Sequence, residues 1–191
     1  MPNEIVVGNL EETSSIYGPG IRFVIWVQGC TLACKGCWNQ QFWPLESETK
    51  YTVEQLVEKI AATPNIEGIT LLGGEPLQQV VPILELIEIV KSMELSVFLY
   101  TGYAKKEFTA EMWDCYNLSD IVVSGRYVES LRDTTMQWTG SSNQLVEFPT
   151  DRYQDIKQKH VREVEFHVVD GKLKIYGYPT ELELGVNYDG N

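Results

Sequence analysis

Cys30-Thr-Leu-Ala-Cys34-Lys-Gly-Cys37 places three thiols in the spacing C-x3-C-x2-C, near enough along the chain to serve one inorganic centre. Spacing alone leaves three chemistries open. Tetrahedral zinc takes thiolates but wants a fourth ligand, and the sequence offers only the distant Cys115, His160 and His167. An iron–sulfur cubane is also held by thiolates, and three of them leave one iron open to a substrate or cofactor. Buried or redox thiols without metal are the third reading. Cys115, near Trp113 and Tyr116 in a helix-like stretch, reads as a small core residue instead.

A second constellation is Gly73-Gly74-Glu75-Pro76. Adjacent glycines let a ligand approach the backbone, and exposed N–H and C=O groups with the Glu75 carboxylate suit an amino-acid ammonium. Taken alone, the same residues describe a plain strand-to-helix turn with Pro76 at the helix start. Trp26, Trp38, Trp43, Phe23 and Phe42 concentrate aromatic area around the cysteines, as core packing or as lining for a cofactor. Lys35, between two cysteines, reads as a solvated loop lysine or a docking point for an electron donor.

The elements that must position these groups follow from periodicity. Residues 21–28 form an unbroken β-branched and aromatic run, the pattern of a strand buried on both faces, and it feeds directly into Gly29-Cys30. Thr52 caps a predicted helix running to residue 62, with Val53, Leu56, Val57 and Ile60 at helical spacing. Strands are expected at 68–72, 95–100, 121–123 and 144–148, and helices at 80–93 and 105–113. Alternating βα units imply a parallel sheet. Residues 126–143 have no clear period and read as a long ordered loop near a site, or as disorder. Past Asp151 a polar, helix-like stretch leads to alternating runs at 161–169 and 172–176 around Asp170-Gly171, a hairpin signal. The expected division is a core over 1–150 and a helix-and-hairpin appendage over 151–191.

Composition bounds the function. The chain has 191 residues, 15 Lys and Arg against 27 Asp and Glu, and a net charge of −12, which repels phosphate backbones and argues against a nucleic-acid partner. No apolar run reaches the ~20 residues of a membrane span. The start, Met1-Pro2-Asn3-Glu4, lacks the basic and apolar pattern of a secretory signal, so a cytoplasmic location is expected. Four cysteines, three of them clustered, do not make a disulfide scaffold.

Taken together, the cysteine spacing and the Gly-Gly-Glu-Pro turn resemble the radical S-adenosylmethionine (SAM) superfamily. Gly18-Pro19-Gly20-Ile21-Arg22, Gln28-Gly29-Cys30, Gly36-Cys37-Trp38-Asn39, Thr101-Gly102-Tyr103 and Gly140-Ser141-Ser142-Asn143-Gln144 look like the activating enzymes of glycyl-radical enzymes, particularly those serving anaerobic ribonucleotide reductase. The motifs span residues 18 to about 145. The resemblance implies an α/β fold, an incomplete (β/α) barrel of the radical SAM type; a full barrel takes ~250 residues. It implies that Cys30, Cys34 and Cys37 hold a [4Fe–4S] cluster whose open iron binds the amino and carboxylate groups of SAM. Gly73, Gly74 and Glu75 would receive the methionine ammonium, Gly36 and Trp38 would lie at the adenine, and Ser124 and Arg126 at the ribose or carboxylate. One electron through the cluster would cleave SAM to methionine and a 5′-deoxyadenosyl radical, a step needing no side-chain acid or base, so no catalytic side chain is assigned. The implied partners are a glycyl-radical enzyme and a flavodoxin- or ferredoxin-type electron donor. The alternatives are a radical SAM enzyme acting on a small molecule or peptide, and a non-catalytic zinc-binding interaction module. His160 and His167 in the appendage read as structural, and Arg132 and Asp133 as loop residues in surface ion pairs or at the site.

Overall fold

The structure, a computed structural model, describes residues 3–47, 49–160, 163–169 and 171–177. In chain order it builds β1 (Glu4–Ser14), β2 (Arg22–Val27), β3 (Lys50–Thr52), α1 (Val53–Ala62), β4 (Gly68–Gly73), α2 (Val80–Ser92), β5 (Ser96–Thr101), α3 (Ala110–Leu118), β6 (Ile121–Ser124) and β7 (Leu145–Glu147). A hairpin, β8 (Val164–Val169) and β9 (Lys172–Gly177), follows. Seven strands form one sheet in the order β3-β1-β2-β4-β5-β6-β7. Its centre, β2-β4-β5-β6, is parallel, and antiparallel strands flank it on both sides.

Each parallel strand is a continuous apolar run because both of its faces are covered. Phe23, Ile25 and Val27 point to one side and pack with Leu56 and Ile60 of α1, Ile83, Leu86 and Val90 of α2 and Met112 of α3. Val24, Trp26 and Leu72 point to the other side, as do Phe98, Ile121 and Val123. All three helices therefore lie on one face, as sequential right-handed crossovers require. The opposite face is covered by loops and by Tyr176 of the β8-β9 hairpin, and there the site forms.

Local signals explain the helix positions. Thr52 accepts from the Gln55 N–H at 3.3 Å while the Gln55 side chain accepts from the Thr52 N–H at 3.0 Å, a reciprocal cap that starts α1. The helix expected over 105–113 is instead a short 3-10 turn at Lys105–Glu107 followed by α3, because Thr109 turns extended and caps α3 through the Met112 N–H. The polar stretch after Asp151 is only a 3-10 turn, Asp151–Tyr153. The mixed α/β class, the terminal hairpin and the strand at 144–148, found as β7, are as expected, but β7 pairs antiparallel, and the sheet carries two further antiparallel strands, β1 and β3, that the pattern did not indicate. The hairpin's turn residue Asp170, the first two residues of the run 161–169, and the tail 178–191 lie outside the described residues. Among the described residues no helix is long and apolar enough to cross a membrane.

Candidate functional site

Parallel strands end on the same edge of a sheet, and in open α/β folds that edge is where ligands bind. Here it gathers Cys30 after β2, Gly73 and the Gly74-Glu75 turn after β4, Thr101-Gly102 at β5 and Gly125-Tyr127 beyond β6. A cavity of 220 Å³ is lined by residues from all four ends, including Cys30, Cys34, Gly36, Trp38, Gly73, Gly74, Glu75, Gly102 and Tyr127. Trp26, Leu72 and Tyr100 of the sheet's helix-free face form its wall, with Tyr17 before β2 and Arg132 and Trp138 from the loop 126–143.

Backbone hydrogen bonds splice the cysteine loop to the glycine turn. The Gly29 N–H donates to Phe42 O at 2.8 Å and the Cys30 N–H to Trp43 O at 3.1 Å, closing the loop on itself. The Gly74 N–H donates to Val27 O at 2.8 Å and the Glu75 N–H to Gly29 O at 2.9 Å, fixing the turn against the loop's base. Both glycines are demanded by this packing. A Cβ on Gly73 would stand 2.7 Å from the Trp26 Cα, and one on Gly74 2.3 Å from the Gly29 carbonyl oxygen. Two glutamines add side-chain clamps. Gln78 accepts from the Thr31 N–H at 3.0 Å and donates to Thr31 Oγ1 at 2.7 Å; Gln79 accepts from the Val6 N–H at 2.7 Å and donates to Gln28 O at 3.0 Å.

The three cysteines are half-buried. Cys30 and Cys34 open on the cavity. Cys37 follows one tight turn later, its N–H donating to Cys34 O at 3.1 Å and its Sγ accepting from the Asn39 N–H at 3.4 Å. Loss of solvent pushes the Cys30 and Cys34 thiols up, and each also feels the next sulfur along. Among the described residues no three His, Cys, Asp or Glu side chains are gathered as a set for one metal ion. A single zinc needs its thiolates to converge on one point, whereas in a cubane each thiolate takes its own iron. Three thiols strung along one loop, with no fourth ligand gathered beside them among the described residues, fit the cluster's donor set and leave one corner to a cofactor. Cys115 takes no part: it is fully buried on the core side of α3, and burial pushes its thiol up to about 12.

Glu75 is 1% exposed and already engaged. Its Oε1 accepts from the Leu77 N–H and from Thr101 Oγ1, both at 2.9 Å, and its Oε2 accepts from the Gly102 N–H at 2.7 Å. The carboxylate thus ties the β4 turn to the β5 end. Burial raises its pKa to about 7 against the pull of these donors.

Gly36 and Trp38 line the cavity, and the Trp38 ring lies 5.5 Å beneath the Arg132 guanidinium. Ser124 and Arg126 do not line it. Ser124 is buried in β6, and Arg126 donates to Gly102 O, pairs with Glu107 at 2.9 Å and covers the Tyr103 ring at 5.0 Å. The loop 126–143 is ordered against the cavity. Gln144 accepts from the Gly140 N–H at 2.8 Å and donates to Gly125 O at 3.2 Å, and Asn143 donates to Arg126 O at 2.8 Å, so the Gly140–Gln144 motif holds the chain leaving β6. Lys35 is an exposed loop lysine paired with Glu129 at 3.1 Å. Gln78, Gln79, Tyr17 and Tyr127 went unread in the sequence. The glutamines carry no local signal, since their partners lie 47 and 73 residues away.

Comparison with known proteins bears directly on this loop. The family described as a 4Fe-4S single cluster domain matches residues 16–147. The anaerobic ribonucleoside-triphosphate reductase-activating protein of Salmonella typhi is 36% identical over 140 residues, covering 69% of this chain and 90% of its own. The proteins of the same name from Escherichia coli K12 and Enterobacteria phage T4 are 34% and 33% identical, over 69% and 71% of this chain and 90% and 89% of their own.

Proposed function

The chain belongs to the 4Fe-4S single cluster family of anaerobic ribonucleoside-triphosphate reductase-activating proteins, and on that premise we propose that it is a radical SAM activase that installs a glycyl radical on an anaerobic ribonucleotide reductase. The observation that carries the reading is the single cavity shared by the cysteine loop and the ends of four parallel strands. When bound, the [4Fe–4S] cluster and SAM supply the one-electron cleavage that yields a 5′-deoxyadenosyl radical.

The residues of this chain hold and enclose that chemistry. Cys30, Cys34 and Cys37 hold the cluster. Gly73 and Gly74 present backbone to the methionine end of SAM, and Glu75, engaged with Thr101 and Gly102, keeps the turn in place while adding negative charge near the ammonium. Gly36 and Trp38 take the adenine side. Ser124 and Arg126 act from behind, Arg126 by fixing the Gly102 carbonyl and Ser124 by anchoring the end of β6. The open sheet with its one-sided helices serves as the partial (β/α) barrel of the superfamily, over a core of about 1–150, with 151–191 as an appendage. A flavodoxin- or ferredoxin-type protein supplies the electron at the exposed loop face around Lys35, whose side chain is 90% exposed. A reducing cytoplasm keeps such thiols free.

The test is anaerobic reconstitution of the full chain with iron and sulfide, followed by dithionite and SAM. Expected are iron and sulfide in cluster proportion, 5′-deoxyadenosine by chromatography, and a glycyl-radical signal when the reductase is added. Serine at Cys30, Cys34 or Cys37 abolishes all three, and serine at Cys115 none. Stoichiometric zinc without sulfide, or a loaded cluster that yields no 5′-deoxyadenosine, overturns the reading.

A further inference from the structure

The helix-free face of the sheet would stand open between β1 and β7, yet the C-terminal segment crosses it. On the far side, the Gln137 N–H donates to Lys159 O at 3.0 Å and Gln137 Nε2 to Glu163 Oε2 at 3.1 Å. On the near side, Glu165 of β8 accepts from the Ser15 N–H at 3.1 Å and from the Ser14 hydroxyl, and the Tyr176 hydroxyl of β9 donates to Glu11 at 2.6 Å. Between these anchors the Tyr176 ring stacks on Trp26, with centroids 5.6 Å apart and planes at 21°, while Tyr17 meets both rings edge-on. Trp26 and Tyr17 are cavity wall, and so are Glu163 and Gly177 at the base of the hairpin. None of the crossing segment lies within the family match, which ends at residue 147.

We propose that Tyr176 is a positioning residue for the activation reaction: from the C-terminal hairpin it backs Trp26, so that an element outside the family core completes and stiffens the wall of the SAM cavity. The inference rests on the activase reading. Trp26 belongs to a strand, but its large ring is fixed only by what packs around it, and Val24 and Leu72 are the buried aliphatic residues grouped with it. Tyr176 supplies the parallel ring contact, beside the edge-on contact of Tyr17. Without it the indole loses its stacked partner and is held by Tyr17, Val24 and Leu72 with Phe42 and Tyr100 around them, and a reaction that depends on the placement of two reacting carbons is sensitive to shifts of about 1 Å.

The full-length reconstituted chain is compared with Tyr176→Phe, which keeps the ring and loses the hydrogen bond to Glu11, and with Tyr176→Ala. Leu173→Ala, on the exposed side of β9, is the control. The first readout is the affinity for SAM itself, followed by tryptophan fluorescence. Tyr176→Ala should weaken it about fivefold, the scale of a lost ring stack, with Tyr176→Phe and Leu173→Ala within about twofold of wild type. The second is glycyl-radical spins formed per 5′-deoxyadenosine, which Tyr176→Ala should lower about tenfold and Tyr176→Phe restore. If Tyr176→Ala does not fold by circular dichroism, Tyr176→Leu, which fills the space without a flat ring, carries the same expectations. Unchanged affinity and coupling in the ring-free variant overturn the proposal. So does a Tyr176→Phe variant as impaired as Tyr176→Ala, which would assign the effect to the Glu11 bond. A wild-type chain that binds SAM but forms no 5′-deoxyadenosine overturns the activase reading, while the affinity comparison still decides the role of Tyr176.

Discussion

Glu75 shows how a side chain at a binding turn serves the protein before any ligand arrives. Three donors stabilise its ionised form and complete burial opposes it; burial wins, leaving the group near pH 7 rather than at the ordinary 4.5. A carboxyl whose pKa is raised by folding binds its proton more tightly in the folded state. Its contribution to stability is therefore complete below pH 4.5 and is lost as pH rises to about 7. Chemical unfolding of the cluster-free chain across that window should show up to about 3 kcal/mol of lost stability that Glu75→Gln does not show. The glutamine variant should itself be less stable at low pH by about 1–3 kcal/mol, because its NH2 meets a donor, the Leu77 or the Gly102 N–H. Stability that rises with pH in the wild type would mean that the three donors outweigh burial. At this scale the cysteines were legible because their spacing is a covalent fact, and Glu75 because it adjoins the glycines. The Gln78 and Gln79 clamps were not, since they join segments that only the fold brings together.

At the scale of elements, the parallel strands and α1 were legible because each carries its own signal: a continuous apolar run, or a cap followed by helical spacing. The flanking strands carry less. β1 mixes Gly8, Asn9 and several glutamates among its apolar residues and shifts register twice against β2, and β3 is three residues long, whereas β7 falls within the expected run 144–148. β1 and β3 exist because a neighbour's unpaired edge recruits them, a long-range cause that local pattern does not record. The Gly73-Gly74 turn was read as room for a ligand, and the structure adds a second demand, close passage of two backbones. Alanine at Gly74 puts its methyl 2.3 Å from the Gly29 carbonyl, so either β4 or the base of the cysteine loop must shift. Gly74→Ala is expected to destabilise the cluster-free chain by about 1–3 kcal/mol, the usual cost of overpacking, and to lower iron incorporation on reconstitution. An unchanged melting temperature with reduced SAM affinity would instead assign the glycine to the ligand alone.

The whole molecule has two poles joined by the parallel strands. At one end of β2 is the cysteine loop; at the other is Arg22, 0% exposed, the last residue of one of the motifs that carry the family resemblance. Its guanidinium donates to Thr70 Oγ1 at 3.1 Å, to Ser96 Oγ and to the carbonyls of Ile69 and Ser96, and Tyr153 reaches the same Ser96 hydroxyl at 2.9 Å. Burial lowers its pKa to about 10, so it stays charged at neutral pH, and its planar fork is what lets one side chain satisfy acceptors on two strands. Gly18 and Gly20 belong to this pole too: a Cβ on Gly20 would collide with the Glu67 side chain, and one on Gly18 with Phe98. The resemblance gave this motif no role, and the geometry supplies one away from the cysteines: a strand rises about 3.3 Å per residue, and six residues of β2 carry Arg22 roughly 20 Å away. Arg22→Met should therefore strand several buried acceptors and cost about 2–4 kcal/mol of unfolding free energy, measured on the cluster-free chain. The 5′-deoxyadenosine formed per intact cluster should stay within about twofold of wild type at a temperature where the variant is folded. Loss of turnover per cluster without loss of stability would show that the two poles are coupled through the strands rather than merely joined by them.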